Sequence, residues 1–508
     1  MANRQITGRG GKAASRVQEG MGRLFLSNKL NNWAGALIGL FIATSMGFLV
    51  ATSPAIGFGV LGLVLGLAVI IACLANPSTG FYMNMVYSMF IYQVNRMFFH
   101  DELQVGLAID VLGFTILFGF FIKGVSVKTS FNEFIRAPVA ILIVLNFLYG
   151  ILEIFNPEGH SVVAWVMAVR KAFETFIFLF VIYMILKDRE SVKQYIRWLF
   201  ALCVLVALYG CIQQWHGLFD FERDWVFADD IRRGIFYING EFRKFSTFND
   251  PAAFGEMMAA VSVFFAILAL NQPDKRTRRT LFGGVILMVL AMVYSGTRTA
   301  NVMLLSGLVL YILLTLDRKS SRRLAMVVAV FLLGVLYVPI YGNNSLNRFR
   351  SSFVGSNDES YNVRVTARNY IRPYMLSHPF GGGLMTTNNI GLTMNPGHYL
   401  AGFQTDSGYL QLALEIGWVG LTLICVMFYM ILRTGVRCYF QSGNAEMKPV
   451  YAAGTCALFT YYVGMFAQTT VGSMADMAFY YPLIAIFLRF KYFENPDPIS
   501  ARNGMMVK

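Results

Sequence analysis

The sequence predicts an all-α polytopic membrane protein of about 12–14 transmembrane helices, on three observations. First, 56% of its 508 residues are hydrophobic, mean hydropathy is +0.54 and only 14% are charged; soluble domains carry roughly a quarter charged residues. Second, the apolar residues gather in repeated segments, each about long enough to span roughly 30 Å of hydrocarbon. Third, Lys and Arg concentrate between alternate segments, the pattern that orients a helical protein in a bilayer. The alternating segments of about ten residues that build a membrane β-barrel are absent.

In chain order, residues 1–32 are polar and basic and read as a cytoplasmic segment, without a cleavable signal peptide. Apolar runs at 33–52, 55–75, 81–99, 106–122, 137–155, 163–187 and 194–215 make an N-terminal transmembrane block, 33–215. A polar loop, 216–250, follows. Runs at 251–271, 280–294, 299–316 and 323–341 form a central block, 251–341, and residues 342–407 a second, larger loop. Runs at 408–433, 450–468 and 472–490 complete the C-terminal block, 408–490, before a tail, 491–508. No internal repeat or low-complexity tract is evident. The six cysteines form no CxxC pair and argue for neither disulfides nor zinc.

With the N-terminus cytoplasmic, 28 of the 42 Lys and Arg fall in the N-terminal segment, alternate short gaps and the C-terminal end. The net charge of +14 is thus mostly a topology signal, and nucleic acid is not an expected partner. Both termini are then cytoplasmic and the two long loops face outward. Eleven further cations stand on that outer side: Arg223, Arg232, Arg233, Arg243, Lys244, Arg298, Arg348, Arg350, Arg364, Arg368 and Arg372. An outer face rich in arginine points to an anionic ligand.

Five stretches carry candidate chemistry. In "SGTRTA", 295–300, a Gly-containing turn exposes backbone N–H groups at the start of a helix beside Arg298, an anion site in type; an arginine snorkelling to headgroups is the alternative. In "NVRVTARNYIRPYMLSHPFGGGL", 362–384, Arg364, Arg368 and Arg372 recur every fourth residue on one helical face. Val363, Tyr370, Ile371 and Tyr374 offer an opposed membrane-facing side, and Pro373 is expected to kink the helix or end its first part. A basic helix lying on headgroups is the alternative here. In "GHYLAGFQTDSGYLQLALEIGWVGL", 397–421, Asp406 is a helix cap or an active carboxylate. Glu415 lies deeper, where an acid faces a cavity or the bundle interior, and His398 titrates near neutrality. In "FSTFNDPAAFGEMMA", 245–259, Asn249 or Asp250 caps a helix with Pro251 in its first turn. Arg170, Lys171 and Glu174 share one apolar run and either pair with one another or line a substrate path.

Taken in order, "SGTRTA", the arginine preceding "HPFGGG", "DSGYLQLALEIGWVGL" and "FSTFNDPAAF" resemble the O-antigen ligase and O-antigen (exopolysaccharide) polymerase family of membrane glycosyltransferases over about residues 200–433. The resemblance implies a GT-C-like fold in the bacterial inner membrane, with a large periplasmic loop containing an amphipathic helix and an active site facing the periplasm. It implies metal-independent transfer of a glycan from an undecaprenyl-type polyprenyl diphosphate, with no cofactor. Polymerases pass the glycan to another carrier-linked repeat unit, ligases to lipid A core. Donor and acceptor oligosaccharides on carrier lipid, the membrane lipid, a flippase and a chain-length regulator are the implied partners. Carried over, Arg298 and Arg364 are the diphosphate ligands, with Arg368 beside them. Ligases usually place a His where Asp406 stands; Asp here resembles the polymerase branch and leaves Asp406 and His398 as rival bases. Arg372, Glu415, Arg170 and Tyr409 are further candidates. A lipid-linked oligosaccharide flippase, or a non-catalytic scaffold of an export complex, is the competing reading from another class; the polar chemistry lies at one face, whereas transporters place it near the midplane.

Overall fold

The computed structural model describes residues 33–52, 54–103, 105–238, 240–337 and 359–494. The basic segment 1–32, Arg348 and Arg350, and most of the tail lie outside the described residues.

Helices run almost end to end. They are α1 (Trp33–Thr52), α2 (Pro54–Ala75), α3 (Pro77–Phe99), α4 (Gly106–Ile122), α5 (Val127–Ile135), α6 (Pro138–Leu152), α7 (Val162–Ile185) and α8 (Arg189–Trp215). The loop expected at 216–250 holds two short helices, α9 (Asp220–Phe227) and α10 (Asp230–Phe236), and a two-residue antiparallel pair, Tyr237 opposite Phe242. Then come α11 (Pro251–Asn271), α12 (Lys275–Tyr294), α13 (Arg298–Leu314), α14 (Lys319–Tyr337), α15 (Glu359–Ser377), α16 (Asn388–Met394), α17 (Gly408–Glu415), α18 (Gly417–Gln441), α19 (Met447–Gly464), α20 (Tyr480–Leu488) and α21 (Phe490–Glu494). Several starts are chemically marked. Asp188 accepts from Ser191 N–H at 2.8 Å, Asp250 from Ala252 and Ala253 N–H at 2.8 and 2.9 Å, and Asp274 from Thr277 N–H at 2.8 Å. Each such cap satisfies helix donors that otherwise lack partners.

The structure supports a mostly helical chain with several membrane-length helices. Among the described residues, five helical segments are long and apolar enough to cross a membrane: Pro138–Phe155, Arg189–Trp215, Pro251–Asn271, Lys275–Tyr294 and Gly417–Gln441. Gly62–Ala75, Gly106–Ile122, Arg298–Leu314 and Met474–Leu488 are shorter apolar segments. Two of the expected runs are broken helices: the run at 408–433 divides at Ile416 into α17 and α18, of which α18 alone is long enough to span, and the run at 472–490 into a 3₁₀ turn and α20.

The chain forms two compact units, Met1–Asn84 with Gly106–Glu133 and Met85–Val105 with Phe134–Lys508. In the first, glycines allow close packing of α2 on α4 and the start of α3: a Cβ on Gly80 would stand 2.7 Å from Ile116 and 2.9 Å from Cys73 Sγ. In the second, α11 is the buried centre, packed by α12, α13 and α19. Gly307 of α13 sits where a Cβ would meet both Thr460 of α19, at 2.6 Å, and Val263 of α11, at 2.8 Å.

This packing gathers several chain segments at one end of α19, called the mouth below. The Met465 carbonyl accepts the Ser407 hydroxyl at 3.0 Å and the Tyr409 N–H at 3.3 Å, fixing the start of α17. Gly464 lies against Met303 of α13 and Thr470. The break after α17 is closed by the triglycine: Gly382 N–H donates to Leu414 O at 2.7 Å and Gly383 N–H to Glu415 O at 2.9 Å. Gly417 turns the chain at φ +66°, and a Cβ there would stand 2.0 Å from the Pro379 carbonyl oxygen. Gly417→Ala is therefore expected to cost about 1–3 kcal/mol from backbone strain alone; hydrogen exchange of 379–383 should accelerate about tenfold or more.

Candidate functional site

The turn at 295–298 is built as a rigid mount. Gly296 takes φ +63°, and α13 begins at Arg298, where the sequence places a helix start. The buried Ser295 hydroxyl donates to Met292 O at 2.6 Å and accepts the Thr297 N–H at 3.2 Å. Thr297 Oγ1 donates to Pro251 O at 3.0 Å and accepts from the Arg243 guanidinium at 2.9 Å, while Arg243 Nε donates to Ser295 O at 3.1 Å. Thr297 caps α13 by position but its side chain is engaged elsewhere, so it does not cap the helix's first N–H groups. Arg298 itself is exposed at this positive helix end.

Arg364, Arg368 and Arg372 lie on α15 as the spacing requires, and the helix runs through Pro373 to Ser377, so of the kink or end expected there the end does not occur. The Arg364 side chain lies outside the described residues, and Arg372 is exposed. Arg368 meets Asp406 with two nitrogens, at 2.9 and 3.3 Å, and Asp406 is 14% exposed. Asp406 thus pairs with a cation; Ser407 is the N-cap of α17. The opposed face of α15 does not turn wholly to lipid, as the pattern suggested. Ile371 packs with Leu400 and Leu414, and Tyr374 against them, because α15 lies on the loop that follows it.

Glu415 is buried and fully engaged: it accepts from the Thr387 hydroxyl, Gln411 Nε2 at 3.2 Å and the Met385 N–H at 3.3 Å. It is an anchor for the 383–387 loop. Tyr409 is likewise anchored, its hydroxyl donating to Tyr462 O at 2.9 Å. Arg170 and Glu174 sit half-buried in α7, and Lys171 is exposed on it.

His398 stands in a cluster the sequence does not announce, because its members come from two distant loops. Its ring lies edge-on to His160, centroids 5.9 Å apart, and His378 Nε2 is 4.0 Å from Glu158. Leu400 N–H donates to His398 Nδ1 at 3.0 Å, which assigns the neutral ring's proton to the buried Nε2. Burial lowers the His398 pKa below its ordinary value, reinforced by His160 and opposed by Glu158. Tyr374 stacks on His378 at 4.0 Å and on Tyr399 at 5.0 Å, and burial pushes its phenol up to about 12. Arg243, the brace of the 295–298 turn, was legible only as one of the surplus outer arginines.

Two outcomes follow from this geometry. A Cβ on Gly255 would stand 2.3 Å from Ser295 Oγ and 3.0 Å from Thr297 Cβ, so Gly255→Val should displace the turn. Melting of the detergent-solubilised protein should report a loss of about 1–3 kcal/mol from overpacking. For His398, the folded protein resists protonation more than the unfolded chain does. Stability unaffected above the ordinary value near 6.5 should therefore fall as pH drops below it. The melting temperature at pH 5.5 relative to 7.5 should decline less in His398→Gln than in the native chain.

Residues 283–425 match the family model described as O-antigen ligase. No curated protein matches the chain. The matched stretch holds Arg298, Arg364, Arg368, Arg372, His398, Asp406, Tyr409 and Glu415, and it leaves out Arg170 and Arg243. The braced arginine turn, the basic helix and the Asp406 segment of this membrane-type helical chain all lie within the stretch that is similar to the O-antigen ligase family.

Proposed function

We propose that the chain is a glycosyltransferase of the bacterial inner membrane. It moves a glycan from a polyprenyl diphosphate to the hydroxyl of a second carrier-linked repeat unit, with the mouth facing the periplasm. The observation that carries this reading is the convergence, around the end of α19, of the helix that starts at Arg298 and the segment that carries Asp406. Both lie within the O-antigen ligase match.

The donor diphosphate binds Arg298, the first N–H groups of α13, and Arg364. Guanidinium forks suit phosphate oxygens. As the anomeric carbon–oxygen bond to phosphate breaks, these cations take up the negative charge building on the leaving diphosphate, which is the main electrostatic task. The acceptor oxygen forms the new bond to the anomeric carbon, and its proton passes to a base. Asp406 is that base. In the resting state Arg368 holds it; an arriving diphosphate competes for the same guanidinium and frees the carboxylate. His398 suits the role less well, because its acceptor nitrogen is already occupied by the Leu400 N–H. Glu415 and Tyr409 position the walls of the site.

Transfer to lipid A core is the second reading, favoured by the description of the matched family. Asp406, standing where ligases usually place a histidine, favours polymerisation. With purified protein and carrier-linked repeat units, Arg298→Ala should lower kcat about 10²–10³-fold and Asp406→Asn about 10²–10⁴-fold. Native rates in either variant would remove that residue from the mechanism.

A further inference from the structure

An apolar cavity of about 280 Å³ opens among α6, α7, α18 and α20, lined by Ile143, Phe147, Ala172, Met427 and Ile484. It is roughly twice the size of a 150 Å³ apolar cavity that takes up benzene. None of its lining residues comes from α11, α12 or α13, the helices that carry the Arg298 turn. Its wall includes Leu384, directly after the triglycine, and Val471. Beside Val471, Lys171 Nζ lies 3.7 Å from where a Cβ on Gly472 would stand, so a cation marks the rim. Two residues before Leu384, Gly382 faces the Tyr374 hydroxyl and the His398 ring, each 2.8 Å from a Cβ placed there. Tyr374 stacks on Tyr399, which is 56% exposed. The cavity thus has a cation beside one wall residue, Val471, and an aromatic surface beyond another, Leu384: an apolar seat for a tail, a charge for an anionic link, and a ring face of the kind that packs against the C–H side of a sugar.

We propose that this cavity holds the isoprenoid tail of the acceptor carrier, with Lys171 on its diphosphate and Tyr399 under its sugar. The inference rests on the polymerase reading and deepens it. In the reading above the leaving diphosphate of the donor takes two arginines, Arg298 and Arg364; the acceptor's diphosphate undergoes no chemistry and needs one anchoring cation. Two separate lipid seats are what a polymerase requires, since both of its substrates ride on carrier.

The test uses the full chain and its Ala172→Trp variant in phosphatidylglycerol nanodiscs. A polyprenyl diphosphate bearing a diazirine in its tail, without sugar, should label peptides of α6, α7 or α18. That labelling should fall at least tenfold in Ala172→Trp, and Lys171→Gln should weaken it for the diphosphate and not for the uncharged polyprenol. Labelling undiminished by Trp, or abolished by excess phosphatidylglycerol, overturns the site, the latter marking an ordinary lipid crevice. In a second arm, donor-only units carry a capped acceptor hydroxyl, and acceptor-only units carry a non-cleavable phosphonate link. Ala172→Trp should raise KM at least tenfold for the acceptor and less than twofold for the donor. The reverse pattern assigns the cavity to the donor and overturns the proposal. Absence of transfer by the native chain refutes the polymerase reading, and the labelling arm then decides the cavity alone.

Discussion

The site depends on two hydrogen bonds at a broken helix. Where α17 ends, its last carbonyls have no helical partner, and an unsatisfied backbone group in apolar surroundings costs several kcal/mol. Gly382 and Gly383 supply the missing donors. Only glycine permits that approach: a Cβ on Gly381 would stand 2.4 Å from Gly417 N, and one on Gly382 would meet Tyr374, His398 and Leu400. Once the triglycine is pinned, its neighbours fall into place. Leu384 closes the apolar cavity, Thr387 reaches Glu415, and α15 is drawn down so that Arg368 meets Asp406.

The second constraint is electrostatic. A helix start that presents a cation needs rigidity to hold an anion at a fixed point, because positioning is most of what a protein contributes to a transfer reaction. The 295–298 turn obtains it from Arg243, which spends its own donors on Ser295 and Thr297. One arginine braces the mount and leaves another, Arg298, at the exposed helix end. The Arg368–Asp406 pair works in the opposite sense. It is half exposed on the arginine side, and the proposed mechanism asks an incoming diphosphate to exchange into it.

Much of this was legible in the sequence, for specific reasons. Apolar runs mark helices because only a helix satisfies its own backbone in lipid, and Asp250 with Pro251 is a helix start in any context. Arg298 stood out because the expected topology puts it on the outer side, where short turns normally exclude positive charge. What escaped depended on long-range partners. Glu415 reads as a costly buried acid until Thr387, Met385 and Gln411 are seen around it. The histidine cluster needs Glu158 and His160 from the α6–α7 connection to meet residues more than two hundred positions away. Pro373 was expected to kink α15 or end its first part; the helix does not end there, and the packing of Ile371 and Tyr374 on Leu400 and Leu414 supports it past the lost hydrogen bond. The breaks at Ile416 and before α20 were not legible, because broken helices and intact ones share the same apolar composition.

The proposed reaction transfers one carrier-linked unit to another at the mouth. The most direct measurement is the length distribution of glycan made by the purified chain in nanodiscs supplied with polyprenyl-diphosphate-linked repeat units and nothing else. A ladder of lengthening carrier-linked products is the predicted result. A single transfer appearing only when lipid A core is added, with no ladder in its absence, would make the chain a ligase and exclude polymerisation.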